Sequence, residues 1–146
     1  MANFEIRKVE KNDIQVVVSL LQQLGYEPSI QAIESLISNP ICDSYETVVG
    51  ILDKSVVSVM SVIYFDYFPS AERFCRITAF VVDSDVRGYG VGTRLIDFAR
   101  DNAAAKGCST LEVTTSLKRE STQQFYESIG FTKTSYKYVQ KLKSNV

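Results

Sequence analysis

The 146-residue chain contains no histidine and no tryptophan. Without histidine, neither a Ser-His-Asp triad nor the usual histidine-ligated catalytic zinc site can be built, so we expect no bound metal. No run of about 18 consecutive apolar residues occurs, and the N-terminus lacks the apolar core of a secretory signal. These absences predict a cytoplasmic protein that does not act at a membrane.

Cysteine and net charge are also scarce. Cys42, Cys75 and Cys108 have no Cys-x-x-Cys spacing and cannot all pair, which is typical of reduced thiols. The formal net charge is only -1, so we expect no nucleic-acid partner, which would require a basic excess. The first 85 residues carry 6 basic and 12 acidic side chains, and the remainder carries 10 and 5. This asymmetry fits an acidic side for a cation and a basic side for a polyanion, or ordinary solvated charge.

The remaining composition is that of a globular domain, and 45% of the residues are hydrophobic. A chain of this length buries a full core, so we expect a single domain over residues 1–146. A capping box from Asn12 to Gln15 begins the first helix. Apolar periodicity predicts helices at residues 14–24, 29–38, 90–106 and 119–129. Alternation predicts strands at residues 4–9, 47–52, 56–65, 74–82, 110–115 and 132–142. This order predicts a mixed α/β fold in which an antiparallel meander precedes β-α-β crossovers.

Alternate glycines separate the strand at residues 74–82 from the helix that follows it, in the sequence Arg87-Gly88-Tyr89-Gly90-Val91-Gly92. Glycines let a backbone approach a ligand closely, and a helix N-terminus adds N–H groups and a positive dipole end. The segment therefore favours an anion such as a pyrophosphate. A tight turn that uses glycine for geometry alone is the alternative. The spacing matches neither the Rossmann fingerprint nor the P-loop.

A second motif lies on the last predicted helix and reads Phe125-Tyr126-Glu127-Ser128-Ile129-Gly130-Phe131. Together with Arg-Gly-x-Gly-x-Gly at a strand–helix junction, it resembles the GNAT family of N-acetyltransferases, and the element order is similar over essentially the whole chain. The resemblance implies a central, mixed, mostly antiparallel sheet with helices on both faces. It also implies an enzyme that moves the acetyl group of acetyl-CoA to a primary amine of a small molecule or peptide, by direct attack in a ternary complex.

In that family the strand end and the glycine loop bind the co-substrate acetyl-CoA. Backbone groups of the strand hold the pantetheine arm, and N–H groups of the loop hold the pyrophosphate. The residues at these positions are Phe80, Val81, Val82, Arg87, Gly88, Tyr89, Gly90, Val91, Gly92 and Thr93. Tyr126 stands where family members place a phenol near the sulfur, to protonate the leaving thiolate or to hydrogen-bond it. A core tyrosine is the alternative.

The first two predicted helices, and the hairpin formed by the predicted strands at residues 47–52 and 56–65, would form the acceptor side of such a fold. Tyr26, Tyr64 and Asp66 are the candidate substrate-binding residues, because aromatic rings with a carboxylate can enclose an alkylammonium group. A hairpin tip packed on its own domain, or on the mate in a homodimer, is the alternative.

The general base is not identifiable from the resemblance. Many relatives carry a Glu on the strand before the loop, where this chain has Ala79. Glu27, Glu46 and Asp66 are the other candidate acids, and none is assigned.

Three segments are similar to the small bacterial aminoalkylphosphonate N-acetyltransferases: residues 114–119, Gln124-Phe125-Tyr126, and Ser135-Tyr136-Lys137-Tyr138. The chain departs from those enzymes in having no histidine and in having Gln123-Gln124 where they have His-Arg. The acidic N-terminal half favours a more cationic amine, such as a polyamine, an aminoglycoside or a lysine-bearing peptide. A catalytically silent acyl-CoA-binding sensor and a nucleotide-binding interaction module are the alternatives from other functional classes.

Overall fold

The computed structural model describes residues 3–39, 44–115 and 119–143. Cys42 and residues 116–118 of the motif at 114–119 therefore lie outside the described residues. The chain divides into two compact units, Met1–Thr114 and Thr115–Val146. Among the described residues, none of the helices has the length and apolar character that a membrane crossing requires.

In the described part of the first unit, five strands form one sheet: β1 (Phe4–Lys8), β2 (Tyr45–Leu52), β3 (Ser55–Tyr67), β4 (Glu72–Val82) and β5 (Cys108–Val113). They lie side by side in chain order. The first four pair antiparallel, and β5 runs parallel to β4. The helices of this unit are α1 (Ile14–Gln23), α2 (Ile30–Ser38) and α3 (Val91–Ala105), and the second unit contains α4 (Glu120–Ser128). The predicted mixed, mostly antiparallel sheet is confirmed.

Helices cover both faces of this sheet. Each face presents its own set of side chains to a helix, because alternate residues of a strand point to opposite sides. One face packs against α1 through a buried cluster of Val9, Val17, Leu20, Val49, Ile51, Val59 and Val81. On the opposite face, Val48, Met60, Val62 and Tyr64 line a small cavity with Phe98, Ala99 and Asn102 of α3. The prediction of helices on both faces is therefore confirmed.

The hairpin between β3 and β4 is longer than the sequence predicted. Residues 66–73 separate the predicted strands at 56–65 and 74–82, but the connection contracts to a 3-10 turn at Phe68–Ser70 followed by Ala71 in the left-handed region. Cross-strand side-chain pairs account for the extension. Tyr67 stacks on Phe74 with ring centroids 4.6 Å apart, and Asp66 pairs with Arg73 in the ladder.

The predicted strand at residues 132–142 is wrong. Residues 131–141 have no regular secondary structure, and Tyr136 and Tyr138 are 86% and 92% exposed. Alternating polar and aromatic residues can form a strand only where a neighbouring strand completes the hydrogen-bond ladder. Among the described residues no strand pairs with this segment.

The first helix also begins differently from the prediction. The capping box is formed by Glu10 and Asp13, around a 3-10 turn at Lys11–Asp13, instead of by Asn12 and Gln15. The buried Asp13 carboxylate accepts hydrogen bonds from the Glu10 N–H at 2.8 Å and from the Arg7 guanidinium at 2.7 and 3.0 Å. The bonds from Arg7 hold the pKa of Asp13 below its usual value, although burial opposes them.

We expect Asp13→Ala to lower the free energy of unfolding at pH 7 by about 2 kcal/mol, because hydrogen bonds to charged groups each contribute about 1.5–3 kcal/mol. A carboxyl whose pKa is lowered by folding stabilises the protein above its unfolded pKa, and this contribution is lost as the pH falls through the folded pKa. Urea unfolding from pH 7 downward should therefore show the wild type and the variant converging in stability. A difference that does not change with pH would contradict the ion-pair assignment.

Candidate functional site

Strand β4 continues past the end of its pairing with β5. The ladder between them ends at the Ile77–Val113 pair. The ladder between β4 and β3 continues to the Val82–Ser58 pair. The C-terminal end of β4, which leads into the glycine loop, therefore lies beyond the paired part of β5.

A β-bulge occurs at this point of β4. Ser61 of β3 faces Ala79 and its neighbour Val62 faces Ile77, so Thr78 is the extra residue. The Thr78 hydroxyl donates a hydrogen bond to the Ser61 carbonyl at 3.2 Å. A bulge bends its strand and increases the local twist. The last residues of β4 therefore run in a different direction from the part of β4 that pairs with β5.

The three predicted strand residues follow the bulge directly. Val81 is buried in the cluster beneath α1, whereas Phe80 and Val82 are half-buried. Burial of Val81 fixes the orientation of the strand on which the predicted pantetheine contacts depend.

A short turn joins β4 to the glycine loop. Residues Ser84–Val86 form a single 3-10 turn, and the Asp83 carboxylate accepts a hydrogen bond from the Asp85 N–H at 3.1 Å. The Asp83 N–H donates to the Val57 carbonyl of β3 at 2.8 Å. The start of the loop is thereby attached to the sheet.

Gly88 and Gly90 adopt φ of +92° and +80°, which L-residues rarely adopt. A Cβ at either position would meet no atom within 4 Å. Glycine is therefore required here by the backbone conformation and not by lack of space. The side chains of Arg87 and Tyr89 are exposed.

The loop ends directly at the N-terminus of α3. Gly90 precedes the first helical residue, with no side-chain cap, and its carbonyl accepts the Arg94 N–H at 3.2 Å. The N–H groups of Val91, Gly92 and Thr93 consequently have no acceptor inside the helix, as at every helix start. They lie at the positive end of a 15-residue helix. This arrangement can bind an anion.

In the second unit, Tyr126 lies on α4 and is buried. Its ring contacts Phe125 and Phe131, with centroids 5.6 and 5.5 Å away. The Phe131 N–H donates to the Tyr126 carbonyl at 3.0 Å. Burial raises the pKa of the Tyr126 phenol to about 12, against the opposing charge of Arg119. The hydroxyl is therefore fully protonated at neutral pH.

The three predicted acceptor residues do not form one pocket. Tyr26 is 63% exposed and follows α1. Tyr64 is buried on the opposite face of the sheet, beneath α3, and Asp66 is exposed near the hairpin tip.

Tyr64 instead belongs to a partly buried hydrogen-bond network. Its hydroxyl donates to the Glu46 carboxylate at 3.0 Å, and the Asn102 amide donates to the same oxygen at 3.4 Å. The Lys106 ammonium lies 4.8 Å from the centre of the Tyr64 ring. Burial, followed by the adjacent charge of Glu46, raises the pKa of the Tyr64 phenol. These contacts indicate a structural role for Tyr64.

We expect Tyr64→Phe to lower the free energy of unfolding by about 1 kcal/mol, because Glu46 loses one donor. The KM for an acceptor amine should stay within twofold of the wild-type value. Urea unfolding and steady-state kinetics measure both quantities, with Tyr67→Phe on the same strand as the control. A large rise in KM without a loss of stability would return Tyr64 to the acceptor site.

One residue that contacts the turn before the glycine loop could not be identified from the sequence. The Gln23 amide, on the last residue of α1, donates to the Asp83 carboxylate at 3.4 Å and accepts from the Ser84 N–H at 3.0 Å. These partners lie 60 and 61 positions away along the chain. No local pattern in the sequence marks such a contact.

The chain is similar to known proteins over most of its length. Residues 43–133 match the model of the acetyltransferase (GNAT) domain. A transcriptional regulator from Bacillus halodurans has 21% sequence identity and a TM-score of 0.82, over 95% of this chain and 99% of that one. A ribosomal-protein-alanine N-acetyltransferase from Brucella melitensis has 20% identity and a TM-score of 0.80, over 97% of this chain and 100% of that one. Glucosamine-6-phosphate N-acetyltransferase from Arabidopsis thaliana has 24% identity and a TM-score of 0.78, over 97% of this chain and 99% of that one. No curated protein matches the chain significantly.

At these identities the solved structures establish a shared fold. The family model covers more than half of the chain, including the glycine loop and the motif around Tyr126. The chain therefore belongs to the GNAT family of acetyltransferases.

Proposed function

We propose that this protein transfers the acetyl group of acetyl-CoA to a primary amine by direct attack in a ternary complex. The observation that carries the proposal is the loop at residues 87–90, in which two glycines with positive φ lead into the N-terminus of a 15-residue helix. Membership of the GNAT family supports acetyl transfer. Two of the structurally similar proteins are named as N-acetyltransferases of a ribosomal protein and of an amino sugar phosphate.

The coenzyme would bind along β4 and the loop. Backbone groups of Phe80, Val81 and Val82 would hold the pantetheine arm, since the ladder to β5 ends before them. The N–H groups of the loop and of the first turn of α3 would hold the pyrophosphate. Arg87 at the start of the loop adds a positive charge.

The reaction forms a C–N bond and breaks the C–S bond of the thioester. An amine with a pKa of about 10.4 must first lose a proton, which costs about 4.6 kcal/mol at pH 7. Backbone N–H groups of the β4 end would stabilise the oxyanion that develops as the amine attacks the carbonyl. The electron pair of the C–S bond goes to the sulfur, where the Tyr126 hydroxyl would donate a hydrogen bond to the thiolate.

No carboxylate is assigned as the base. Position 79, where many relatives carry Glu, is Ala79. The Glu46 carboxylate already accepts hydrogen bonds from Tyr64 and Asn102. The side chains of Glu27 and Asp66 are exposed. We propose that solvent water accepts both nitrogen protons, the one that the ammonium loses before attack and the one that the nitrogen loses as the amide forms. The rate should then rise with pH until the ammonium is deprotonated.

The acceptor is proposed at the level of chemical class. Similarity to the aminoalkylphosphonate enzymes favours a small aminoalkyl compound, whereas the acidic N-terminal half favours a polyamine, an aminoglycoside or a lysine-bearing peptide. A panel of these amines with acetyl-CoA, read by thiol release and by product mass, tests the proposal. An acetylated product with stoichiometric CoA supports it.

The alternative function is a silent acyl-CoA sensor, and the absence of a carboxylate at Ala79 favours it. Calorimetric binding of CoA without thiol release from any amine in the panel would support the sensor. Absence of CoA binding would contradict both functions.

A further inference from the structure

We infer that Gln23 is a positioning residue for coenzyme binding: its side-chain amide holds the turn at residues 83–86 and, through it, the loop at residues 87–90. The inference rests on the proposed function, because it concerns the affinity of that loop for the coenzyme.

Both polar groups of the Gln23 amide are used in this contact. Its nitrogen donates to Oδ1 of Asp83 at 3.4 Å, and its oxygen accepts from the N–H of Ser84 at 3.0 Å. The same Asp83 oxygen accepts from the N–H of Asp85 at 3.1 Å, and the Asp83 N–H donates to the Val57 carbonyl at 2.8 Å. The turn is thus tied to β3 by a backbone bond and to α1 by the side chain of Gln23.

The loop needs such a connection because its own sequence does not restrict it. Gly88 and Gly90 have more backbone freedom than any other residue type, and ordering them opposes binding. One end of the loop is fixed by Val91, which is buried at the start of α3. The other end is Arg87, directly after the turn that Gln23 contacts. Holding both ends before the ligand arrives reduces the entropy lost on binding.

The first test is Gln23→Ala, measured by calorimetric titration with CoA. We expect the Kd to rise about threefold to tenfold, the range that one or two ordinary hydrogen bonds contribute. The kcat at saturating acetyl-CoA should change by less than twofold, because the reacting groups are not altered. Gln22→Ala, the exposed preceding residue of the same helix, is the matched control and should keep the wild-type Kd.

The second test reverses the polarity of the contact. Gln23→Glu removes the donor and brings a second carboxylate next to Asp83, so it should weaken CoA binding at least as much as Gln23→Ala does. Combining Gln23→Glu with Asp83→Asn restores one donor and one acceptor and should return the Kd to within twofold of wild type. A merely structural helix residue would not show the rescue.

The outcomes separate the two proposals. If the wild type binds CoA and Gln23→Ala binds it equally well, the positioning role is overturned while the proposed function stands. If the double variant binds no better than Gln23→Glu alone, the hydrogen-bond explanation is overturned. If the wild type does not bind CoA, the proposed function fails and this inference fails with it.

Discussion

Gly90→Asp should weaken coenzyme binding by at least tenfold, about 1.4 kcal/mol, while the protein remains folded. Gly90 has φ of +80° and immediately precedes α3, and a Cβ there would meet no atom within 4 Å. The new side chain therefore fits, at the cost of some backbone strain. Its carboxylate would lie at the helix N-terminus, where it would compete with the pyrophosphate for the same N–H groups and repel its charge.

Two control variants separate charge from strain. Gly90→Asn has nearly the same shape, is neutral, and tolerates the left-handed region better than most residues. Gly107→Asn imposes the same strain at the other end of α3, since Gly107 also has φ of +80° and open space around it. Titration with CoA should show the full loss of affinity only for the Asp variant. Thermal unfolding should show that all three variants remain folded. A folded Gly90→Asp protein with wild-type affinity would refute the phosphate role of the loop.

The sequence predicted the sheet and helices of the first unit well because their signals are local. Alternation identifies the strands of the meander, and the antiparallel pairing of neighbours needs only short connections. The start of α1 was placed on the wrong capping box, since Asn12 and Gln15 satisfy the local pattern. Arg7 on β1 instead selects Asp13 by two charged hydrogen bonds. A contact between elements therefore decided between two local patterns.

The candidate site was predictable where residue type and backbone conformation coincide. Gly88 and Gly90 adopt positive φ, and this requirement is visible in the sequence. The location of Tyr64 was not predictable, because alternation divides a strand into two faces without showing which helix covers each. The predicted strand at residues 132–142 was wrong for a related reason, since the sequence pattern contains no information about a pairing partner.

Tyr126→Phe should lower kcat about 100-fold, with little change in stability or in coenzyme affinity. The substitution keeps the ring and its contacts with Phe125 and Phe131. Loss of one donor to a developing charge typically costs 10²–10³ in kcat, hence about 100-fold here. Tyr138→Phe, which alters a hydroxyl on an exposed residue of the same unit, should have no effect and is the matched control.

The pKa of Tyr126 decides how the hydroxyl would act. At about 12, the phenol is a weaker acid than an alkyl thiol with a pKa near 8.5, so full proton transfer to the thiolate would be uphill. Tyr126 is therefore expected to hydrogen-bond the leaving sulfur, and solvent would protonate it after release. The pH–rate profile should then show no descending limb from Tyr126 below about pH 11. Single-turnover thiol release separates chemistry from product release. A loss below threefold, with chemistry limiting, would make Tyr126 a packing residue.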